Sequence, residues 1–452
     1  MTTRIQKAIV ASFAGLIATG TVLLMLPASA VGPRLGFVEA LFTSTSAVCV
    51  TGLTVFDPGT RLTPAGQFFL VALIQLGGLG ILSLSGFVLA MVRQRDELSQ
   101  RMYVETAHGG LRGVTPRSVL RHAVATTLLI EGVGAVLLFA AFGLRRGEFG
   151  LQTAWLAAFH SISAFCNAGF SLFPDNLESY RDDPLVNLAV MGLIVVGGIG
   201  FTVIADLARI RRLPRNNRNW WRLSLHSRMV LLVTGLLIAA GAAVFLFCEW
   251  TNTLRDAPWH GRILAALFYS VTCRTAGYDT VLTGTLTSVT LLFGILLMIV
   301  GASPGGTGGG IKTSTAGILA VSAWSRIRGR SAAEFQGRSI PDSTVAKAVA
   351  TVASFVILLL AANTALAIIE GGFASHHARP APLLDYAFET ASAIGTVGLS
   401  TGITAGLSDP SKLVLIALMY IGRTGPLVVG ASLIGLRRPR PYAYPEEDVL
   451  VG

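Results

Sequence analysis

Four stretches of this chain combine small residues, hydroxyls and a central glycine: Ser46 to Asp57, Ser161 to Phe173, Ser270 to Thr280 and Ser392 to Gly402. Aligned on Gly52, Gly169, Gly277 and Gly398, the first, second and fourth read Ser-Ala-x-(Cys or Gly)-x-x-Gly-(Leu or Phe), and the third keeps Thr-Ala-Gly-Tyr. A dehydrated monovalent cation needs its water replaced by oxygens, and a ring of backbone carbonyls from four segments supplies them with the least charge. Glycine at the centre permits positive φ, so that successive carbonyls aim the same way. The glycines lie 117, 108 and 121 residues apart. That spacing marks an internal fourfold repeat.

The elements that must position these stretches follow from composition. Length alone suggests several soluble domains, but 52% of residues are hydrophobic, only 13% are charged and the mean hydropathy is +0.65. A polytopic membrane protein is expected. Apolar runs of about 20 residues recur eight times, two for each repeat. Each repeat reads as an apolar helix (M1), a short amphipathic helix (P), the glycine stretch and a second apolar helix (M2). The expected repeats cover 1–96, 97–213, 214–332 and 333–452, with M2 continuous to about Val92 in the first, Ile210 in the second and Leu436 in the fourth. A short helix of about 13 residues spans only ~20 Å, so the chain must dip in and return through the glycine stretch. Non-helical backbone at that depth is tolerated only where it lines water or is buried in protein. The expected fold is therefore all-α, with eight transmembrane helices and four re-entrant pore helices around one pseudo-fourfold pore.

The net charge of +11 does not point to nucleic acid, because the basic residues sort by loop. Of 35 Lys and Arg, 23 fall at the amino terminus, in Arg93–Arg121, Arg209–Arg228 and Arg326–Lys347, and at Arg437, Arg438 and Arg440. The positive-inside rule makes these loops and both termini cytoplasmic. Such loops also offer a surface to anionic lipid or a cytoplasmic partner. Cys49, Cys166, Cys248 and Cys273 show neither metal-ligand spacing nor a disulfide framework, and read as small packing residues. The run from Ile9 to Pro27 looks partly like a cleavable signal, but the first repeat needs it as a helix.

Beyond each glycine stretch, at a similar distance, M2 carries a special segment: Gly77 to Gly80, Gly197 to Gly200, Gly301 to Thr315 and Gly422 to Pro426. These are expected to meet at one depth. In the third, Pro304 and six glycines cannot continue a helix. The helix must break over 301–313, leaving Gly301, Ala302, Ser303, Pro304, Gly305, Gly306, Thr307, Gly308, Gly309, Gly310, Lys312 and Thr313 as an intramembrane loop that obstructs the path until it moves. A phosphate-binding loop is excluded, since Ile311 separates Gly310 from Lys312 and no strand precedes it. Arg423, inside an apolar helix, is expensive unless it faces a cavity or partner, and would throttle cation flux. Glu131 is the other costly charge, read as a structural pair or, in a coupled carrier, as the proton or sodium site. Asp57, Asp175 and Asp279 follow three of the glycines on the outer side, where they read as solvated loop acids or as a means to concentrate cations. His376 and His377 read as solvated. No Ser-His-Asp set, metal-binding His pair or carboxylate dyad is sensibly spaced, so no enzyme is expected.

Thr396-Val397-Gly398-Leu399-Ser400 resembles the potassium-channel signature Thr-Val-Gly-Tyr-Gly, and its degenerate fourfold version resembles the TrkH/KtrB/HKT superfamily of potassium transporters, most closely its KtrB branch. The resemblance covers the whole chain. It implies an ion filter of Val50, Thr51, Gly52 and Leu53; Asn167, Ala168, Gly169 and Phe170; Thr275, Ala276, Gly277 and Tyr278; and Thr396, Val397, Gly398 and Leu399. All four axial glycines are present, which implies potassium preference, whereas Val50 and Asn167 depart from the first threonine and imply fewer well-formed ion sites. The same resemblance implies that the 301–313 loop and Arg423 form the gate, that potassium is the transported ion, and that sodium activates. It further implies a homodimer and a cytoplasmic RCK ring of KtrA or TrkA type carrying the nucleotide, with none on this chain. The lack of an eye-catching amino-terminal targeting segment fits a prokaryotic inner membrane. The alternative is a sodium- or proton-coupled secondary carrier with its substrate site at the broken helix.

Overall fold

The computed structural model describes residues 2–79, 116–211, 213, 219–372, 382–426 and 429. Expectations for Gly80 to Val92, the Arg93–Arg121 loop before residue 116, His376, His377 and the tail lie outside the described residues. The chain is almost wholly helical. In order, α1 spans Thr2–Met25, α2 Phe37–Val48, the single turn α3 Pro58–Arg61, α4 Pro64–Gly78, α5 Pro116–Arg146, α6 Leu151–Cys166, α7 Pro184–Ile199 and α8 Phe201–Arg211. Then come α9 (Leu225–Glu249), α10 (Trp259–Thr272), α11 (Ser288–Ile299), α12 (Thr313–Ile327), α13 (Asp342–Gly371), α14 (Leu383–Gly395) and α15 (Asp409–Thr424).

Helix starts are written locally. Thr63 and Asp183 cap α4 and α7, accepting from Gly66 N and from Leu185 and Val186 N, with Pro64 and Pro184 at the first helical position. Glu249, at the end of α9, accepts from Thr287 N and from the hydroxyls of Thr287 and Thr290. Glu370, at the end of α13, does the same for Ser408 N and Oγ. Thr287 and Ser408 each stand ten residues after their glycines. These acids join an outgoing helix to the start of the next long one.

Three described helices are long and apolar enough to cross a membrane alone: Ala123–Arg146 of α5, α9 and α13. The helices α1, α4 and α11 have shorter apolar lengths. The helix expected to run unbroken to Ile210 instead bends by 99° between α7 and α8. Gly200 makes the corner at φ 88°, and Phe201 N donates to Gly305 O at 3.1 Å, so the glycine-rich loop occupies the straight path of the helix. The all-α expectation also omits a hairpin, Ala333–Phe335 (β1) paired with Arg338–Ile340 (β2) through Gln336 and Gly337, both at positive φ. Ala333 and Ile340 pack on Met229, and Arg228 donates to Gln336 Oε1 at 2.9 Å.

Packing follows a cyclic order. The short helices α2, α6, α10 and α14 pack against α1, α5, α9 and α13, the long helices that precede them. Each also receives a helix from the neighbouring set: α4 packs on α6, α7 on α10, α11 on α14, and α15 returns to α2. Ser44, Ser161 and Ser270 on the short helices donate to Ile17, Glu131 and Ile238 carbonyls at 2.8, 2.6 and 2.8 Å. They do so beside Gly20, Gly134 and Gly241, where an added Cβ would strike the serine hydroxyl and a leucine of the following long helix.

Candidate functional site

Each short helix is followed within three residues by one of left-handed backbone: Val50 (φ 56°), Asn167 (61°), Thr275 (70°) and Thr396 (52°). For β-branched Val50 this is a costly conformation, on the order of 1–2 kcal/mol, held only because the surroundings fix it. The amide of the following residue then turns back onto its own helix. Thr51, Ala168, Ala276 and Val397 donate to Ser46, Ser163, Thr272 and Ser392 carbonyls at 2.8, 2.8, 2.9 and 2.8 Å. Gly52 and Gly398 donate to the Ser46 and Ser392 hydroxyls, each at 3.0 Å. With the amides drawn outward, the carbonyls are freed on the opposite side.

The four segments close on one another in chain order. A Cβ placed on Gly52 would lie 2.5 Å from Ala168 O; on Gly169, 2.6 Å from Ala276 O; on Gly277, 2.6 Å from Val397 O; and on Gly398 it would strike Thr51 O. Each glycine Cα also lies beside the next glycine. All four glycines have positive φ, 98°, 68°, 76° and 98°. Among the described residues no protein donor reaches the Thr51, Ala168, Ala276 or Val397 carbonyls.

The outer residues differ. Phe170 O accepts from Ser163 Oγ at 2.9 Å and Tyr278 Oη at 3.1 Å, and Tyr278 O accepts from Thr272 Oγ1 at 2.7 Å. These two carbonyls are used by the protein wall, while no such donor reaches those of Leu53 and Leu399 among the described residues. Of the outer acids, Asp57 caps α3 through Gly59 N at 2.9 Å, and Asp175 accepts from Ser179 N at 3.0 Å. Asp279 accepts from Thr283 Oγ1 at 2.9 Å.

Directly beneath lies the glycine-rich loop. Helix α11 stops at Ile299, Gly301 N donates to Ile311 O at 2.9 Å, and α12 starts at Thr313. Ser303 N and Thr307 N donate to the Gly198 and Gly197 carbonyls of α7 at 2.9 and 3.1 Å. Thr307 Oγ1 donates to Phe165 O at 3.1 Å and lies 3.3 Å from the Asn167 side-chain amide. Gly309 N donates to Thr396 Oγ1 at 3.0 Å, and any Cβ on Gly308 would strike Thr275 Oγ1. Lys312 folds back to donate to Gly308 O at 2.8 Å, and Ser303 Oγ and Thr313 Oγ1 are 2.8 Å apart. The loop is thus hydrogen-bonded to the first residue of the second and fourth segments and packed against that of the third.

Arg423 completes this layer. It is 7% exposed, and donates through Nη1 to Thr307 O and through Nη2 to Gly77 O. No carboxylate pairs with it among the described residues. The guanidinium therefore fastens α15 to both α4 and the loop. Gly77, Gly197 and Gly422 press against the Val48, Phe165 and Ile394 carbonyls near the ends of their short helices, approaches that a side chain would block. Arg423 joins the first, third and fourth of these segments, and Ser303 and Thr307 join the third to the second. Glu131 accepts from Gln75 Nε2 at 3.0 Å and lies 3.7 Å from Cys166 Sγ, so it joins neutral groups rather than a base. The four cysteines are free thiols. The serine contacts at Gly20, Gly134 and Gly241, and the acids Glu249 and Glu370, escaped the sequence reading. A serine seven or eight residues before each of the first three glycines was the available signal.

The family described as TrkH, cation transport protein, matches over residues 2–434. The chain is 38% identical to Ktr system potassium uptake protein B of Vibrio alginolyticus over 99% of its own length and 94% of the relative's. It is 35% identical to potassium/sodium uptake protein NtpJ of Enterococcus hirae, over 98% and 96%. Its fold is similar to that of the potassium transporter TrkH from Vibrio parahaemolyticus, with a TM-score of 0.71 at 19% identity, covering 95% of this chain and 84% of that one.

Proposed function

The chain belongs to the TrkH family of cation transport proteins, and from that premise we propose that it is the ion-translocating subunit of a potassium uptake system, conducting through the glycine ring. As a member of that family it is a multi-pass membrane transport protein and not an enzyme. The observation that carries the reading is the closure of the ring. Four glycines of positive φ each face the carbonyl of the next segment, with the amides turned away. Backbone oxygens so presented replace the hydration shell of a monovalent cation without adding formal charge. This reading takes the chain as four M1-P-M2 units about one axis, with eight crossings expected. The short helices aim their carboxyl ends at the axis, where their partial negative charge favours a cation.

In this reading Thr51, Ala168, Ala276 and Val397, with the four glycines, supply the central ion sites, Gly277 O being shared with Asn176 Nδ2 at 3.5 Å. The inner position is uneven, because Val50 brings no hydroxyl and Asn167 is turned to the loop. The outer position loses the Phe170 and Tyr278 carbonyls to the wall. The 301–313 loop blocks the path below, held by Arg423, and opening requires breaking the Thr307 and Gly309 contacts. A cytoplasmic RCK ring binding nucleotide is the partner that moves the loop, and the names of the Ktr-system relatives support a multi-component system. A homodimer, cytoplasmic termini, the repeat boundaries 96/97, 213/214 and 332/333, contact with anionic lipid, and an inner-membrane location complete the proposal. The potassium/sodium relative supports a role for sodium alongside potassium.

The test is potassium and sodium flux into proteoliposomes of the full chain. Potassium-selective flux that follows the electrochemical gradient, with selectivity lost in Gly398→Ser, is expected. Flux that instead requires a proton or sodium gradient and Glu131, and survives Gly398→Ser, would replace the pore by the coupled carrier.

A further inference from the structure

Behind the ring, two short helices carry an ionisable side chain at the same register position. His160 stands nine residues before Gly169, and Glu389 nine before Gly398. Both are fully buried. Each reaches the same two points of the chain that leaves its glycine. His160 Nε2 lies 3.0 Å from Ser171 Oγ and accepts from Leu172 N at 3.4 Å, while Nδ1 lies 2.7 Å from Leu156 O. Glu389 accepts from Ser400 Oγ, from Thr401 N at 3.2 Å, and from Thr404 Oγ1 at 2.8 Å. Ser171 and Ser400 are the second residues after their glycines, and Leu172 and Thr401 the third.

The other two segments hold nothing comparable there. Thr43 occupies the position in α2, and its hydroxyl has no partner; Phe268 occupies it in α10 and has no polar side-chain atom. The chain order of the ring sets the second and fourth segments opposite each other. The outer rim is therefore braced by a buried ionisable side chain across one diagonal and by none on the other, where the third segment is held instead by the Thr272 and Thr283 hydroxyls. A buried acceptor that gathers a hydroxyl and a backbone amide fixes the backbone just beyond the glycine, and with it the position of the glycine carbonyl. Potassium and sodium differ in radius by a few tenths of an ångström, and a site selective at that scale must be held to within about 0.5 Å by supporting hydrogen bonds.

We propose that His160 and Glu389 are positioning residues for ion selection, a diagonal pair of buried braces that hold the outer rim of the ring at the span a dehydrated potassium ion fills. The inference rests on the ring being the selective path. It goes beyond that reading by assigning selectivity to two side chains that never touch the ion. It also separates them from Thr43 and Phe268, which share their register position.

The experiment compares potassium and sodium flux in proteoliposomes of the full chain for wild type, Glu389→Gln, Ser400→Ala, Ser171→Ala, the double variant Glu389→Gln/Ser400→Ala, Thr43→Val and Gly398→Ser. Loss of one brace hydrogen bond is expected to lower the potassium-to-sodium flux ratio by about fivefold in Glu389→Gln and in each serine variant. The double variant falls by less than its two singles combined, because both loosen one cluster of Glu389, Ser400 and Thr404. Thr43→Val keeps the wild-type ratio. Should Glu389→Gln fail to fold, the two serine variants, which delete only a hydroxyl, decide the matter. A wild-type ratio in both serine variants, additive losses in the double variant, or an equal loss in Thr43→Val would overturn the proposal. If Gly398→Ser lowers the ratio and the brace variants do not, the braces alone fall; if Gly398→Ser leaves it intact, the ring is not the selective path and the functional reading falls first.

Discussion

At the ring, Val50, Asn167, Thr275 and Thr396 differ in side chain and share a left-handed backbone; one layer below, Gly77, Gly197, the 301–310 loop and Arg423 sit at comparable distances from their glycines and share no conformation. The upper layer repeats because its chemistry is carried by carbonyls, which every residue has, so side chains can drift while φ cannot. The lower layer diverges because its contacts are particular. Gly200 turns a helix aside, a broken helix fills the centre, and an arginine locks that loop to two neighbours. If, as proposed, the upper layer selects and the lower one obstructs, the two roles are separable, and substitutions should separate them.

The largest effect belongs to the ring. Each glycine has positive φ and no room for a Cβ against the next carbonyl, so a side chain there costs about 1–2 kcal/mol in backbone alone and displaces a carbonyl of the proposed filter. Gly169→Ser and Gly398→Ser are both expected to lower the potassium-to-sodium flux ratio by roughly tenfold or more. The comparison breaks if one does so and the other does not. Next comes the lower layer. Arg423→Ala removes both ties to Thr307 and Gly77, and flux in the absence of any cytoplasmic partner should rise by about tenfold, as expected for loss of two charge-assisted hydrogen bonds, with the ion ratio unchanged. A changed ratio with unchanged flux would assign Arg423 to selection instead. Gly200→Ala should act more weakly on the same side. Its Cβ would lie 2.5 Å from Pro304 O, so the loop must shift, and leak flux should rise a few-fold without loss of selectivity.

How much of this was legible in the sequence follows the same division. The glycine stretches could be read because positive φ at Gly52, Gly169, Gly277 and Gly398 leaves a residue-type trace, and the loop because Pro304 and its glycines cannot stay helical. The first residue of each segment could not. Val50 and Asn167 looked like departures from a threonine pattern, yet they adopt the same backbone as Thr275 and Thr396, a conformation imposed by the closing ring rather than by their own preference. The bend at Gly200 was hidden because it answers a contact with Gly305, about a hundred residues away in the chain. Arg423 was legible as costly, but its partners are two backbone carbonyls, which no sequence pattern announces. The hairpin at Gln336 and Gly337 carried a local turn signal that the long hydrophobic runs on either side outweighed.

The smallest effect lies at the outer edge, where an acid has kept its place in only one segment. Asp279 is the second residue after Gly277, the position held by Ser171 and Ser400 elsewhere. Burial pushes its carboxyl up from 3.8 to about 7; the Glu178 carboxylate adds to the rise, and the hydrogen bond from Thr283 opposes it. A raised acid is neutral below its pKa, so acidification from pH 8 to pH 6 removes a negative charge from the mouth and weakens its pull on cations. The apparent KM for potassium should therefore rise by about twofold over that interval, with maximal flux unchanged, since the charge alters local concentration rather than the path. In Asp279→Asn the KM should stay near its pH 6 value throughout. A KM that still moves in Asp279→Asn would place the titrating group elsewhere. A fall in maximal flux instead would mean that the third segment, like the second and fourth, depends on this position to hold its shape.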